Sequence, residues 1–174
     1  MSGRAAERPA RVVVFGLGNE FRRDDGAGLA VVELLRARSL PEVSLLTGQG
    51  EPGALLAGWA GAALAIVVDA VVASPPVPGR LHRLVAGRDG TTPVSWPPSA
   101  SSHGLGLAEA IGLGAVLGRL PGRLILHGVE AADLALGAGL SPAVAAALPA
   151  LEQAVLRDIP AECGGWPGGT RHSS

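Results

Sequence analysis

The sequence has no lysine, no tyrosine and a single cysteine, Cys163, in 174 residues. A lone cysteine excludes an intramolecular disulfide and any CxxC-type metal site within one chain, and it suits a reducing compartment. All fourteen basic residues are arginine, which rules out lysine-dependent chemistry and the lysine of a phosphate-binding P-loop. Aromatics are only 3% of the chain, three Trp and two Phe, so a core must be built from Val, Leu, Ile and Ala. An excess of either charge is missing too. The formal net charge of −1 gives neither nucleic acid nor an anionic membrane an electrostatic reason to bind. Met1 to Arg11 is polar, and the apolar run Val12 to Phe15 is too short for a signal-peptide core or a membrane span. These absences predict a cytoplasmic protein with no nucleic-acid or membrane partner.

What is present is globular in character, with 48% hydrophobic and 17% charged residues, and the length fits one domain. That domain is expected over 11–160, between a flexible N-terminus (1–10) and a Gly- and Pro-rich disordered tail (161–174). Arg11 to Phe15 is a β-branched run ending in the turn-like Gly16-Leu-Gly18-Asn19, which predicts a buried strand with a tight loop at its carboxyl end. Asp24 and Asp25 then precede a helical pattern of Leu29, Val32 and Leu34 or Leu35 that closes on Arg36 and Arg38, charges that suit a helix dipole. Val43–Leu46 predicts a second strand and Pro52–Trp59 a short helix. Ala63–Asp69 is apolar without alternation, as a strand covered on both faces should be.

After Pro75-Pro-Val-Pro-Gly79, Arg80–Val85 alternates like an edge strand. A Gly-, Pro- and Ser-rich stretch from Ala86 to Ser102 predicts a long loop of the kind that is usually functional. His103–Leu117 predicts a helix, Arg123–Val129 a last core strand, and Ser141-Pro142 opens a C-terminal helix with proline at its first position. Strands alternating with helices make a three-layer α/β/α sandwich with a mainly parallel sheet. Ligands in such sheets bind beyond the carboxyl ends of the strands. Three features fall there: the Gly16–Asp25 loop, Asp69, and the approach to His103.

Each of these has an ordinary structural explanation. An Asp at a strand end serves turn chemistry. One of Asp24 and Asp25 can cap the helix while the other favours its dipole. A second adjacent carboxylate is less well explained, because its repulsion is relieved only by a cation or a proton. An isolated His103 would be a capping or surface histidine, although a helix N-terminus favours the neutral ring that binds metal. Taken together, a carboxylate of the Asp24-Asp25 pair, Asp69 and His103 form an O/O/N donor set suited to a divalent transition metal. His82, His127 and His172 are assigned structural or tail positions only. Gly16-x-Gly18 does not complete a dinucleotide fingerprint, since Phe21 stands where a third small residue is needed and a charged stretch intervenes before the helix.

Three segments in order carry a specific resemblance. Val12-Val-Val-Phe-Gly-Leu-Gly-Asn-Glu-Phe-Arg-Arg-Asp-Asp-Gly-Ala-Gly28, Ile66-Val-Val-Asp69-Ala70 and Ser102-His-Gly-Leu-Gly-Leu107 resemble the signature elements of the nickel–iron hydrogenase maturation endopeptidases, and span most of 11–160. The resemblance implies a phosphorylase/hydrolase-like α/β/α fold, with a mixed five-stranded sheet in which Arg80–Val85 is the antiparallel strand. It implies an aspartic-type endopeptidase that removes the C-terminal extension of a nickel-loaded hydrogenase large-subunit precursor. Nickel is then contributed by the substrate and sensed by Asp25, Asp69 and His103, and the enzyme acts as a monomer. Catalysis is left between two routes, a metal acting as Lewis acid and a general base drawn from Asp25 or Asp69.

One departure is Gly48-Gln-Gly-Glu-Pro-Gly53, where many members carry Asp-Gly-Gly-Thr; it borders the expected cleft and bears on substrate-tail preference. The competing function is a non-catalytic nickel-checking or chaperone module with the same three residues. Peptidyl-tRNA hydrolase shares the Gly-Leu-Gly-Asn turn but needs Pro after Asn and an early His, whereas here Glu20 follows Asn19 and no His precedes His82.

Overall fold

The computed structural model describes residues 12–86 and 102–160, with the side chains of 102–104 outside that set. The expected flexible N-terminus, most of the long loop (87–101) and the C-terminal tail also lie outside the described residues. Five strands, β1 (Val12–Leu17), β2 (Val43–Gly48), β3 (Leu64–Val71), β4 (Leu81–Ala86) and β5 (Arg123–Glu130), form one sheet in the order β2-β1-β3-β5-β4. β4 is antiparallel to β5 and all other pairings are parallel. This is the mixed sheet expected, with its odd strand at the edge.

Among the described residues, four α-helices cover the sheet: α1 (Ala27–Arg36), α2 (Pro52–Trp59), α3 (Ser102–Val116) and α4 (Pro142–Asp158). Alternate residues of the central strands feed two separate cores, as strand geometry requires. Val12, Val14, Ile66, Val68, Ile125 and Val129 pack with α1 and α4. Val13, Phe15, Ala65, Val67 and Leu126 pack with α2 and α3, where Trp59 meets Phe15 edge-to-face at 6.3 Å. β1 and β3 are buried along their whole length, which explains their unbroken apolar composition. On α1 the buried positions are Ala27, Gly28, Val31, Val32 and Leu35, while the expected Leu29 is only partly covered. None of the described helices is long and apolar enough to cross a membrane.

Two carboxylate clusters fasten the antiparallel edge. Glu130 is fully buried at the end of β5 and accepts from the Val77 N–H (2.5 Å) and His82 Nε2–H (2.7 Å), with Arg80 at 3.6 Å. Burial alone would raise its pKa, but these donors together hold it below the ordinary value. On the α4 side, Asp158 accepts from His127 Nε2–H (2.7 Å) and from Arg83 through two nitrogens (2.7 and 2.9 Å). His82 and His127 therefore have the structural roles the sequence suggests. Both carboxylates come from sequence-distant elements, which is why no local motif announces them.

The α4 cluster dictates a pH response. Burial depresses the pKa of His127 below 6.5, so as pH falls below that value the unfolded chain takes up a proton that the folded chain resists. Arg83 and His127 outweigh the burial of Asp158 and hold it below 3.8, so its contribution is present above 3.8 and is lost as pH falls through the depressed value. Both terms weaken the fold toward acid. Urea unfolding of His127→Gln should show a shallower loss of stability between neutral and mildly acidic pH than the native protein. Asp158→Asn should cost about 2 kcal/mol at neutral pH, because it weakens hydrogen bonds to charged and buried partners.

Candidate active site

β1 leads by way of α1 to β2 on one side, and the chain then returns to β3 on the other. The sheet thus reverses its order between β1 and β3, and the loops leaving their carboxyl ends diverge. Open α/β sheets bind ligands at such a switch point. The loop after β1 delivers Asp24 and Asp25, and β3 delivers Asp69.

The glycines of this segment set its geometry. A Cβ on Gly16 would lie 2.2 Å from the Gly28 carbonyl oxygen, and one on Gly28 would lie 2.3 Å from Leu17 O and 2.4 Å from Val68 O. Gly18, at φ +151°, would meet Asp25 O at 1.9 Å. No side chain fits at any of the three, so the start of α1 lies directly on the ends of β1 and β3. A single 3-10 turn, Arg23–Gly26, joins loop to helix, and it holds both aspartates fully buried.

The two aspartates have different jobs. Neither caps α1, whose N-cap is Gly26, so the capping role expected for one of them is not taken up. Asp24 turns instead to the segment between β5 and α4: Oδ2 accepts from the N–H groups of Ala132 (2.8 Å) and Asp133 (3.0 Å), and Oδ1 from that of Ser141 (2.6 Å). Burial pushes its pKa up, but these backbone donors outweigh it and keep the carboxyl below its ordinary value. Ser141 in turn caps α4 by accepting from Val144 N–H at 3.4 Å.

Asp69 does not end its strand as the apolar run suggests, since β3 continues to Val71. Counting from Val67, it points to the α2/α3 face. It is 3% exposed, and its pKa is pushed up to about 8, first by burial and then by the charge of Asp25, against a weaker pull from the Ala70 N–H. Two buried carboxyl groups close enough to couple cannot both ionise cheaply. The structure thus brings Asp25 and Asp69 together.

His103 lies in the first turn of α3, and its side chain is outside the described residues. That helix begins at the same sheet edge: a Cβ on Gly106 would sit 2.1 Å from Gly50 O, so α3 rests against the Gly48–Gly53 loop that follows β2. The variant loop of the sequence is therefore what seats the helix carrying His103. Among the described residues, no group of three His, Cys, Asp or Glu side chains is arranged to hold a metal.

The mixed α/β sheet thus holds two buried carboxyl groups at its switch point, where open sheets of this kind bind ligands. The model of the hydrogenase maturation protease family matches residues 29–158. The chain is 36% identical over 153 residues to the hydrogenase 2 maturation protease of Escherichia coli, covering 85% of this chain and 92% of that protein. It is 34% identical over 144 residues to the hydrogenase expression/formation protein HupD of Rhodobacter capsulatus, covering 80% and 67%. Among solved structures, the hydrogenase maturating endopeptidase HybD from E. coli superposes with a TM-score of 0.71 at 33% identity, over 85% of this chain and 93% of that one. The chain belongs to the hydrogenase maturation protease family, and it is a peptidase.

Gly28→Ala is the sharpest test of this geometry, since its Cβ would be caught between two backbone carbonyls. It should destabilise the fold by about 3 kcal/mol, at the upper end of overpacking costs, as read by denaturant unfolding.

Proposed function

We propose that this peptidase removes the C-terminal extension of a nickel-loaded nickel–iron hydrogenase large-subunit precursor. The observation that carries the reading is the Asp25–Asp69 pair, buried at the switch point in a member of this family. The names of the relatives, a hydrogenase 2 maturation protease and a hydrogenase maturating endopeptidase, support the class of partner.

The pair can supply a base and an acid at once. Asp69 holds its proton to about pH 8, whereas the charge of Asp25 is part of what keeps it there. Asp25 takes a proton from a water as the water oxygen adds to the scissile carbonyl carbon. Asp69 gives its proton to the departing amide nitrogen as the C–N bond breaks, leaving a new carboxylate and a new amine. The buried site excludes bulk water and fixes both groups before substrate arrives.

Nickel belongs to the substrate in this scheme. The residues that would meet it are Asp25, Asp69 and His103, an O/O/N set that Asp69 completes only once its proton has gone to the departing nitrogen; a dication there would offset the charge of the carboxylates and could polarise the scissile carbonyl. Checking for nickel and cutting would then use the same side chains.

The test is the mass of purified large-subunit precursor before and after incubation with the protein, with nickel-loaded and nickel-free precursor compared. Loss of a C-terminal peptide from the loaded form alone is expected. Asp25→Asn and Asp69→Asn should each slow it by roughly 10²- to 10⁴-fold, the usual worth of a positioned acid or base. Binding of the loaded precursor with no change in mass would instead make the protein a nickel-checking module.

A further inference from the structure

Phe21 is one of only two phenylalanines, yet it is 68% exposed, four residues before Asp25. Its backbone is not loose. The Phe21 N–H donates to Asn19 Oδ1 (2.9 Å), and its carbonyl accepts from Gly137 N–H (2.8 Å). The next residues continue the attachment. Arg23 N–H donates to Gly137 O (2.9 Å), Asp24 N–H to Asp133 O (3.1 Å), and Arg23 Nε lies 3.2 Å from Asp133. With the three bonds to the Asp24 carboxylate, the turn bearing Asp25 and the segment 131–141 form one stapled unit.

The composition of that segment is unusual for an exposed connection. Ala131-Ala-Asp-Leu-Ala-Leu-Gly-Ala-Gly-Leu140 contains one charged residue, and Leu136, beside the Gly137 that pairs with Phe21, is 81% exposed. Single exposed apolar side chains are ordinary. Here a phenylalanine and a leucine stand on neighbouring backbones that hydrogen bonds through Phe21 and Gly137 fasten to the turn bearing Asp25. An aromatic on a backbone already held in place needs to order only its two χ angles on binding, which favours such residues as anchors at interfaces.

We propose that Phe21 and Leu136 form an apolar clamp that grips an apolar segment of the precursor beside its scissile bond and so sets substrate preference. This rests on the protease reading above and adds specificity residues to it. The clamp is continuous with the site through Asp24, so a chain held by it is registered against Asp25 and Asp69. Phe21 and Leu136 touch no reacting atom; they position the substrate. The same Phe21 disqualifies the Gly16-x-Gly18 turn as a dinucleotide motif, where a small residue is required.

The experiment measures two quantities on nickel-loaded precursor: Kd by calorimetry, and KM and kcat by mass-resolved cleavage. The proteins compared are the native chain, Phe21→Ser, Leu136→Ser, the double variant, Phe21→Leu and Val116→Ser. Val116 is 85% exposed at the far end of α3 and controls for general loss of surface hydrophobicity. Each clamp serine should raise Kd and KM about tenfold and leave kcat within about twofold, as expected when an apolar contact made equally in ground and transition states is removed. Phe21→Leu should recover most of the loss, and Val116→Ser should match the native protein. A double variant whose Kd and KM stay near native values overturns the clamp, as does a fall in kcat alone. If the native chain binds the precursor without cutting it, the protease reading fails, and the Kd series still decides the clamp. If it does not bind at all, both fall.

Discussion

The start of α1 and the ends of β1 and β3 approach until backbone meets backbone, and the rest of the site depends on that contact. It is possible only because Gly16, Gly18 and Gly28 present no side chain at the points of contact. A Cβ at any of them would overlap a carbonyl oxygen. The approach carries the 3-10 turn over the switch point and buries Asp25 against the carboxyl end of β3, beside Asp69. Gly106 repeats the device on the other side, letting α3 rest on the Gly50 carbonyl. The glycines of the signature segments thus position the acids and the helix that holds the histidine.

Bringing two carboxyl groups into one buried place is costly, and the fold offsets it in two ways. Asp69 keeps its proton to about pH 8, so the pair need not carry two charges. Asp24, adjacent in sequence, has its charge satisfied by three backbone N–H groups of the β5–α4 segment. One aspartate of the Asp-Asp pair is structural, and the other is the one proposed to carry chemistry. The structural one joins the catalytic turn to the β5–α4 segment, and so connects the site to the apolar surface proposed to receive substrate.

Much of the fold was legible in the sequence because it rests on local patterns. The apolar run of β3 without alternation, the alternation of β4, and Ser141-Pro142 before α4 each announced their elements to within a residue or two. The length of β3 beyond Asp69 was missed because Ala70 and Val71 follow a charged residue that reads as a stop, although both stay buried. The capping role expected at Asp24 or Asp25 was not found, because donors from 108 to 117 residues away outcompete the local helix end. The partners of His82 and His127 were hidden for the same reason, lying 48 and 31 residues from them.

By itself the sequence determined the strands and helices and the edge of the sheet at which Asp25 and Asp69 fall, since period 2 or 3.6 follows from side-chain type along a short window. Recognising the family needed no more than three segments in register. Only the tertiary structure decided how deeply Asp25 and Asp69 are buried, what Asp24 holds, and that Phe21 and Leu136 stand on hydrogen-bonded neighbouring segments. Those outcomes depend on backbone groups far apart in the chain, and hydrogen bonding and burial act through space without regard to sequence separation.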